Sequence, residues 1–106
     1  MISRYAANQR RRAAHARCLA AAATIAPGAR VCVDVDAVPI WSGDPRADGS
    51  TLRYVATAWR GPSLRATAIA SAEGEPIAWG ADTQSTVAEG LARAVEALAA
   101  ELERVD

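Results

Sequence analysis

Two stretches with a helical spacing of apolar residues enclose a central stretch in which apolar and polar residues alternate. The helical stretches lie at the ends of the 106-residue chain, and the alternation begins at Arg30. A helical repeat buries one stripe of a helix, whereas strict alternation buries one face of a strand. The pattern therefore predicts an α+β fold in the order helix, strands, helix, with residues 1–106 forming a single domain.

The first helix is predicted from about Ser3 or Asn8 to Ala26, where Pro27 and Gly28 stop it. Its apolar stripe comprises Ala14, Cys18, Ala21, Ala22 and Ile25. Extended towards the N-terminus, this stripe meets arginines. We therefore expect the C-terminal half of the helix to pack on the body and the arginine-rich half to be exposed or to project beyond it.

Three or four strands are predicted to form an antiparallel meander. The first covers Arg30–Trp41, with valines on one side and Cys32, Asp34 and Asp36 on the other. After a polar loop over Ser42–Gly49, strands over Ser50–Arg60 and Ser63–Ser71 are joined at Gly61-Pro62, which favours a hairpin. A turn is predicted at residues 72–75, followed by a short fourth strand from Pro76 to Trp79. The residues predicted to face inward on the second and third strands are Leu52, Tyr54, Ala56, Ala58, Leu64, Ala66, Ala68 and Ala70.

The last helix is amphipathic. Thr86 and Glu89 have the spacing of a capping box at its start, and Arg93 follows Glu89 at a distance that favours an ion pair. Its apolar stripe comprises Val87, Leu91, Ala94, Val95, Leu98, Leu102 and Val105. Because each helix has a single apolar stripe, both are expected to cover the same face of the sheet.

Opposite charges are separated along the chain. Up to Arg65 there are ten arginines and four aspartates, whereas the remainder carries two arginines and eight acidic residues, so a net charge of zero hides two charged portions. This asymmetry predicts a charged partner or self-association. The chain contains no lysine, which excludes Schiff-base catalysis by a lysine side chain.

The remaining composition narrows the class of protein. Cys18 and Cys32 are too few for a disulfide framework, so reduced thiols and a cytoplasmic location are expected. No stretch approaches the roughly 20 apolar residues that span a bilayer, so no membrane association is predicted. No cofactor is expected, since no cofactor-binding motif is present.

Asp34 and Asp36 are the main candidates for chemistry. Two carboxylates on one strand face can hold a divalent metal or divide acid and base roles. Their Asp-x-Asp-x-Val setting resembles the nucleophile motif of haloacid-dehalogenase-type phosphatases, which implies a downstream lysine that this chain lacks. The favoured interpretation is a cross-strand charge pair with Arg53 or Arg65. A zinc site formed by His15, Cys18, Cys32 and Asp34 is a weaker alternative.

Arginines of the first helix and aromatic residues of the sheet are candidate partner contacts. Arg10, Arg11, Arg12 and Arg17 could bind the phosphates of a nucleic acid, or they could pair with acids of the last helix in the same or a second copy. On the outer face of the sheet, Arg53, Trp59 and Arg65 are the predicted protein-binding residues. Trp41 flanks the polar loop.

Two families share part of this pattern. From about Ser50 onward, the strands followed by the segment of residues 80–94, with its Thr-capped helix, resemble HicB-type antitoxins, without their proline-rich strand motif. The order of helix, strands and helix is similar to that of double-stranded RNA-binding domains, but their basic motif at the start of the last helix is absent here.

The sequence thus favours a small non-catalytic binding or regulatory protein, similar to an inhibitor or antitoxin, that contacts another protein and can form a homodimer. A nucleic-acid-binding protein is the alternative, and a small metal-dependent enzyme using Asp34 and Asp36 is the least favoured hypothesis.

Overall fold

The computed structural model describes residues 3–40, 51–61, 65–78 and 83–104. They form helix α1 (Arg4–Ile25), strands β1 (Val31–Ile40), β2 (Thr51–Arg60) and β3 (Thr67–Ala78), and helix α2 (Thr83–Glu103). The strands form one antiparallel sheet in the order β1-β2-β3, and both helices pack on the same face of it. The predicted α+β fold is therefore confirmed. The predicted loop over Ser42–Gly49, Trp41 and Trp79 lie outside the described residues.

Helix α1 begins and ends where the sequence predicts. The Ser3 hydroxyl accepts a hydrogen bond from the amide of Ala6, and the amide of Ala26 donates to the carbonyl of Ala22 before Gly28 turns the chain at a φ of 78°. Of the two outcomes expected for its arginine-rich half, exposure is confirmed, since Arg10 and Arg12 are exposed, whereas projection beyond the body was wrong. Ala7 is buried against Ala88 and Ala92 of α2, because small side chains let the two helices approach closely along this half as well. Ile25, expected inside, is exposed at the helix end.

One face of the sheet is covered by the helices and the other is exposed. Tyr54, Ala56 and Ala58 of β2 are fully buried, while Cys32, Asp34 and Asp36 of β1 are exposed on the opposite face, as their alternation predicts. An antiparallel sheet with one covered face and one wet face has this pattern.

Strand β3 differs from the prediction. It runs without interruption from Thr67 to Ala78, so the turn predicted at residues 72–75 and the separate fourth strand were wrong. The register of β3 against β2 shifts between Ala58 and Trp59. Ala68, predicted to face inward, is therefore exposed opposite Trp59, whereas Ala70 packs against the core as predicted, together with Ala72.

Two glycines allow α2 to lie close to the sheet. A Cβ atom at Gly90 of α2 would fall 2.5 Å from Cε1 of Tyr54 and closer still to two other ring carbons. A Cβ atom at Gly74 of β3 would lie 2.9 Å from the amide nitrogen of Ala94. Gly74 is therefore a site of close helix approach within a strand.

Helix α2 starts at Thr83, three residues before the predicted cap, so Thr86 lies inside the helix and the predicted capping box was wrong. Its stripe is otherwise as predicted, with Val95, Leu98 and Leu102 buried in the core. Among the residues that the structure describes, no helix is long and apolar enough to cross a membrane.

Candidate functional site

One row of arginines on α1 is paired with α2 inside the same chain. The helices run parallel, so Arg10 and Arg17 meet acids at matching heights along α2. Arg10 Nη1 lies 2.6 Å from Glu89 Oε2 and its Nη2 lies 2.6 Å from Glu96 Oε1. Arg17 Nη2 lies 2.5 Å from Glu103 Oε1. We call these five side chains the helix seam.

Ion pairing in the helix seam shifts the pKa values of Glu89 and Arg10. The side chain of Glu89 is only 10 % exposed, and the hydrogen bonds from Arg10 hold the pKa of its carboxyl below the usual value. Glu96 and Glu89 in turn raise the pKa of Arg10 by accepting its hydrogen bonds. Much of the charge asymmetry of the sequence is therefore neutralised within one copy, and two of the four predicted phosphate-binding arginines hold the helices together.

The other two arginines point elsewhere. Arg11 and Arg12 have no ion-pair partner within residues 3–40, 51–61, 65–78 and 83–104. Arg12 is exposed and Arg11 partly buried, and both line a cavity together with His15. These three side chains form a basic rim on the side of α1 that faces β1.

A groove of about 450 Å³ lies between α1 and β1. Its floor is apolar and is formed by Leu19, Val33, Val35 and Val95, and its rim is formed by Arg11, Arg12 and His15. The groove exists because α1 rests mainly on α2 and only lightly on β1, which leaves Val33 and Val35 partly exposed. Asp34 also lines it, although its side chain belongs to the other face of the strand, so the groove extends along the edge of β1.

The edge of β1 next to this groove is unpaired among the described strands, because β1 is the first strand of the sheet. The amide of Gly61 donates a hydrogen bond to the carbonyl of Arg30 at 2.8 Å. With the register of β1 against β2, this bond shows which residues of β1 direct their backbone groups to β2. In an antiparallel pair, alternate residues direct their N–H and C=O groups to the neighbour and away from it. The groups of Val31, Val33 and Val35 therefore point to the open edge.

The predicted protein-binding residues of the outer sheet face do not form one cluster. Arg53 and Trp59 share that face of β2 but stand six positions apart, about 20 Å along a strand. Arg53 forms an ion pair with Glu73, and Trp59 is partly buried, with its indole nitrogen enclosed and without a hydrogen-bond partner. Arg65 is exposed in the connection before β3 rather than on the strand.

The candidate chemical residues are also separated. Asp34 and Asp36 stand opposite Thr57 and Val55, so neither Arg53 nor Arg65 is the cross-strand partner predicted for them. Cys18 is buried on the helix side, where burial raises the pKa of its thiol and its Sγ donates to the carbonyl of Val95. Cys32 is exposed on the other face of the sheet. Within the described ranges, no three His, Cys, Asp or Glu residues are grouped to hold a metal ion.

The groove was not predicted from the sequence. Its position depends on how far α1 is displaced sideways over the sheet, which helical periodicity does not specify. One sequence signal did indicate the open edge: Pro39 lies inside β1, and proline is tolerated in a strand mainly where its missing N–H would face an open edge.

No family model, no curated protein and no solved structure matches this chain.

Proposed function

We propose that this chain is a small non-catalytic binding protein, of a regulatory or inhibitory kind, that acts by contact with another protein. The observation that carries the proposal is the groove beside β1, where an apolar floor, a basic rim and a strand edge occur together, and where neither the rim arginines nor the edge has a partner among the described residues. Surfaces that bind proteins combine an apolar centre with polar groups at the margin.

The groove is a better contact surface than the outer sheet face. On the outer face Arg53 is already paired with Glu73, and Trp59 is far from it along the strand. In the groove, by contrast, Arg11 and Arg12 gain a partner only from outside the described part of the chain. Arginine is also the cation best suited to interface ion pairs, because its planar group binds carboxylates with two hydrogen bonds.

Binding of nucleic acid is the second candidate, supported by the same two unpaired arginines. With Arg10 and Arg17 held in the helix seam, two of the four predicted phosphate-binding arginines remain, which predicts a shallow salt dependence with a slope near −2. Two contacts are few for a nucleic-acid-binding surface, so we favour a protein partner.

The test is affinity capture from cell extract treated with nuclease, followed by mass spectrometry. The wild type is compared with Arg11→Gln/Arg12→Gln, and Arg53→Gln serves as the matched control because it removes an arginine from the other side of the sheet. We expect a protein that the wild type and the control retain and the double variant loses. Capture that nuclease treatment abolishes would favour a nucleic acid as the partner. Capture that the Arg11→Gln/Arg12→Gln variant retains would refute the groove as the binding surface. Light scattering on the purified protein determines whether the chain forms the homodimer.

A further inference from the structure

We propose that β1 receives an extended segment of the partner protein as a fourth strand of the sheet. The side chains of this segment that face the groove are apolar and acidic, and those that face the other side are basic. This inference rests on the proposed function and specifies the form of its partner.

The backbone of β1 offers a run of hydrogen-bonding groups that no described residue pairs with. Val31, Val33 and Val35 direct their N–H and C=O groups to the open edge, as the bond between Gly61 and Arg30 requires. Pro39 occupies the same alternation and lacks an N–H, which limits the receptive stretch to the first part of the strand. Main-chain pairing of this kind supplies affinity when a peptide adds to a sheet edge.

The helix side of the edge selects the side chains that enter the groove. A strand beside β1 places every second residue over the floor formed by Val33, Val35 and Leu19 and under Arg11 and Arg12. Apolar residues fit the floor, and carboxylates fit the two unpaired guanidinium groups. His15 adds a third donor at the rim.

The opposite side of the edge selects the remaining residues. Cys32, Asp34 and Asp36 are exposed there, and Asp34 and Asp36 have no ion-pair partner among the described residues. Lysine or arginine at the intervening positions of the added strand would stand next to these carboxylates, since cross-strand neighbours of opposite charge are favourable. The edge is thus basic on one side and acidic on the other.

The same charges disfavour antiparallel pairing of two copies through β1. With the helices of both copies on one face, that arrangement would place two rims of Arg11, Arg12 and His15 against each other. A register centred on Asp34 would also place the two copies of Asp34 opposite each other, and a register centred on Val35 would place Asp34 opposite Asp36. Charged residues on an edge strand are a recognised protection against such self-association.

The probe is a blocked, fluorescently labelled peptide of sequence Glu-Lys-Val-Lys-Val-Lys-Glu, which reads the same in both chain directions. Its glutamates and valines share one face and its lysines the other. The control peptide, Lys-Glu-Val-Glu-Val-Glu-Lys, exchanges the charges. Affinity is measured by fluorescence anisotropy at low salt, and amide hydrogen exchange of the protein is followed by NMR with and without peptide.

We expect the control peptide to bind about tenfold or more weakly, because several charge pairs change sign. Peptide should slow exchange at the amides of Val33 and Val35, while Cys32 and Asp34, already bonded to β2, should change little. Val35→Pro removes one edge donor and should abolish binding. Arg11→Glu/Arg12→Glu should shift the preference towards the control peptide, which keeps the test decisive if the proline variant fails to fold.

Equal binding of both peptides, unchanged exchange at Val33 and Val35, or no binding up to about 1 mM would each overturn strand addition. Self-association that the proline variant abolishes would assign the edge to a second copy instead. A captured partner that depends on Arg11 and Arg12 but not on Val35 would leave the proposed function standing and remove only this inference.

Discussion

The contact between Gly90 and Tyr54 predicts that Gly90→Ala destabilises the protein, although alanine is the better helix former. Alanine in place of glycine in a helix interior gains about 1 kcal/mol. The added Cβ, however, would lie 2.5 Å or less from three carbons of the Tyr54 ring, where about 3.5–4.0 Å is normal. Tyr54 is fully buried, so its ring has no free space to move into.

Overpacking of a well-filled core costs about 1–3 kcal/mol, and a displacement above 1 Å places this site at or beyond the upper end. We therefore expect a net loss of about 2 kcal/mol in the free energy of unfolding. The melting temperature should fall by about 10 °C, since 1 kcal/mol corresponds to about 4–8 °C in a domain of this size.

The assay is urea denaturation of the wild type, Gly90→Ala, Tyr54→Ala and the double variant. If the clash is the cause, Gly90→Ala should cost nothing, or should stabilise by about 1 kcal/mol, once the Tyr54 ring is absent. An equal cost in both backgrounds would refute the reasoning, as would a Gly90→Ala variant more stable than the wild type.

Two further predictions concern polar groups inside the fold. Tyr54→Phe should stabilise the protein by about 1 kcal/mol in urea denaturation, because the buried hydroxyl of Tyr54 has no hydrogen-bond partner in the described part of the chain; a destabilised variant would show that the hydroxyl is bonded. Glu89→Gln should cost about 1–2 kcal/mol at pH 7, whereas Arg17→Gln, in an exposed pair of the helix seam, should cost at most about 0.5 kcal/mol. Because the folded-state pKa of Glu89 lies below its ordinary value of 4.5, its contribution is fully present above that pH and is lost as the pH falls through the folded pKa. The difference between wild type and Glu89→Gln should therefore shrink on acidification below pH 4.5, and a constant difference down to pH 2 would contradict the assignment.

The elements that the sequence predicts correctly are those whose signals are local. Ser3 and Gly28 bound α1, and the alternation in β1 separates the valines from Asp34 and Asp36. The errors arise where the role of a residue depends on packing against an element that is distant in the sequence. Gly74 suggests a turn when only its own segment is considered, yet it lies within β3 because α2 passes directly over it at Ala94.

The candidate site was predicted only in part, for a related reason. Arg11 and Arg12 were among the candidate binding residues, but so were Arg10 and Arg17. Helical spacing places the two pairs in different sectors of α1, yet their own segment does not show which sector meets acidic residues. The separation comes from the position of α2, whose glutamates engage one side of α1 and leave the other side to the groove. An open strand edge is likewise a property of the assembled sheet.

The attachment of α1 links the helix seam to the groove, although none of the five seam side chains lines it. Since α1 contacts α2 far more than it contacts β1, the ion pairs of Arg10 help to hold in place the helix that forms one wall of the groove. We therefore expect a change in ionic strength, or Glu96→Gln, to alter the affinity for an added strand without changing any residue that lines the groove.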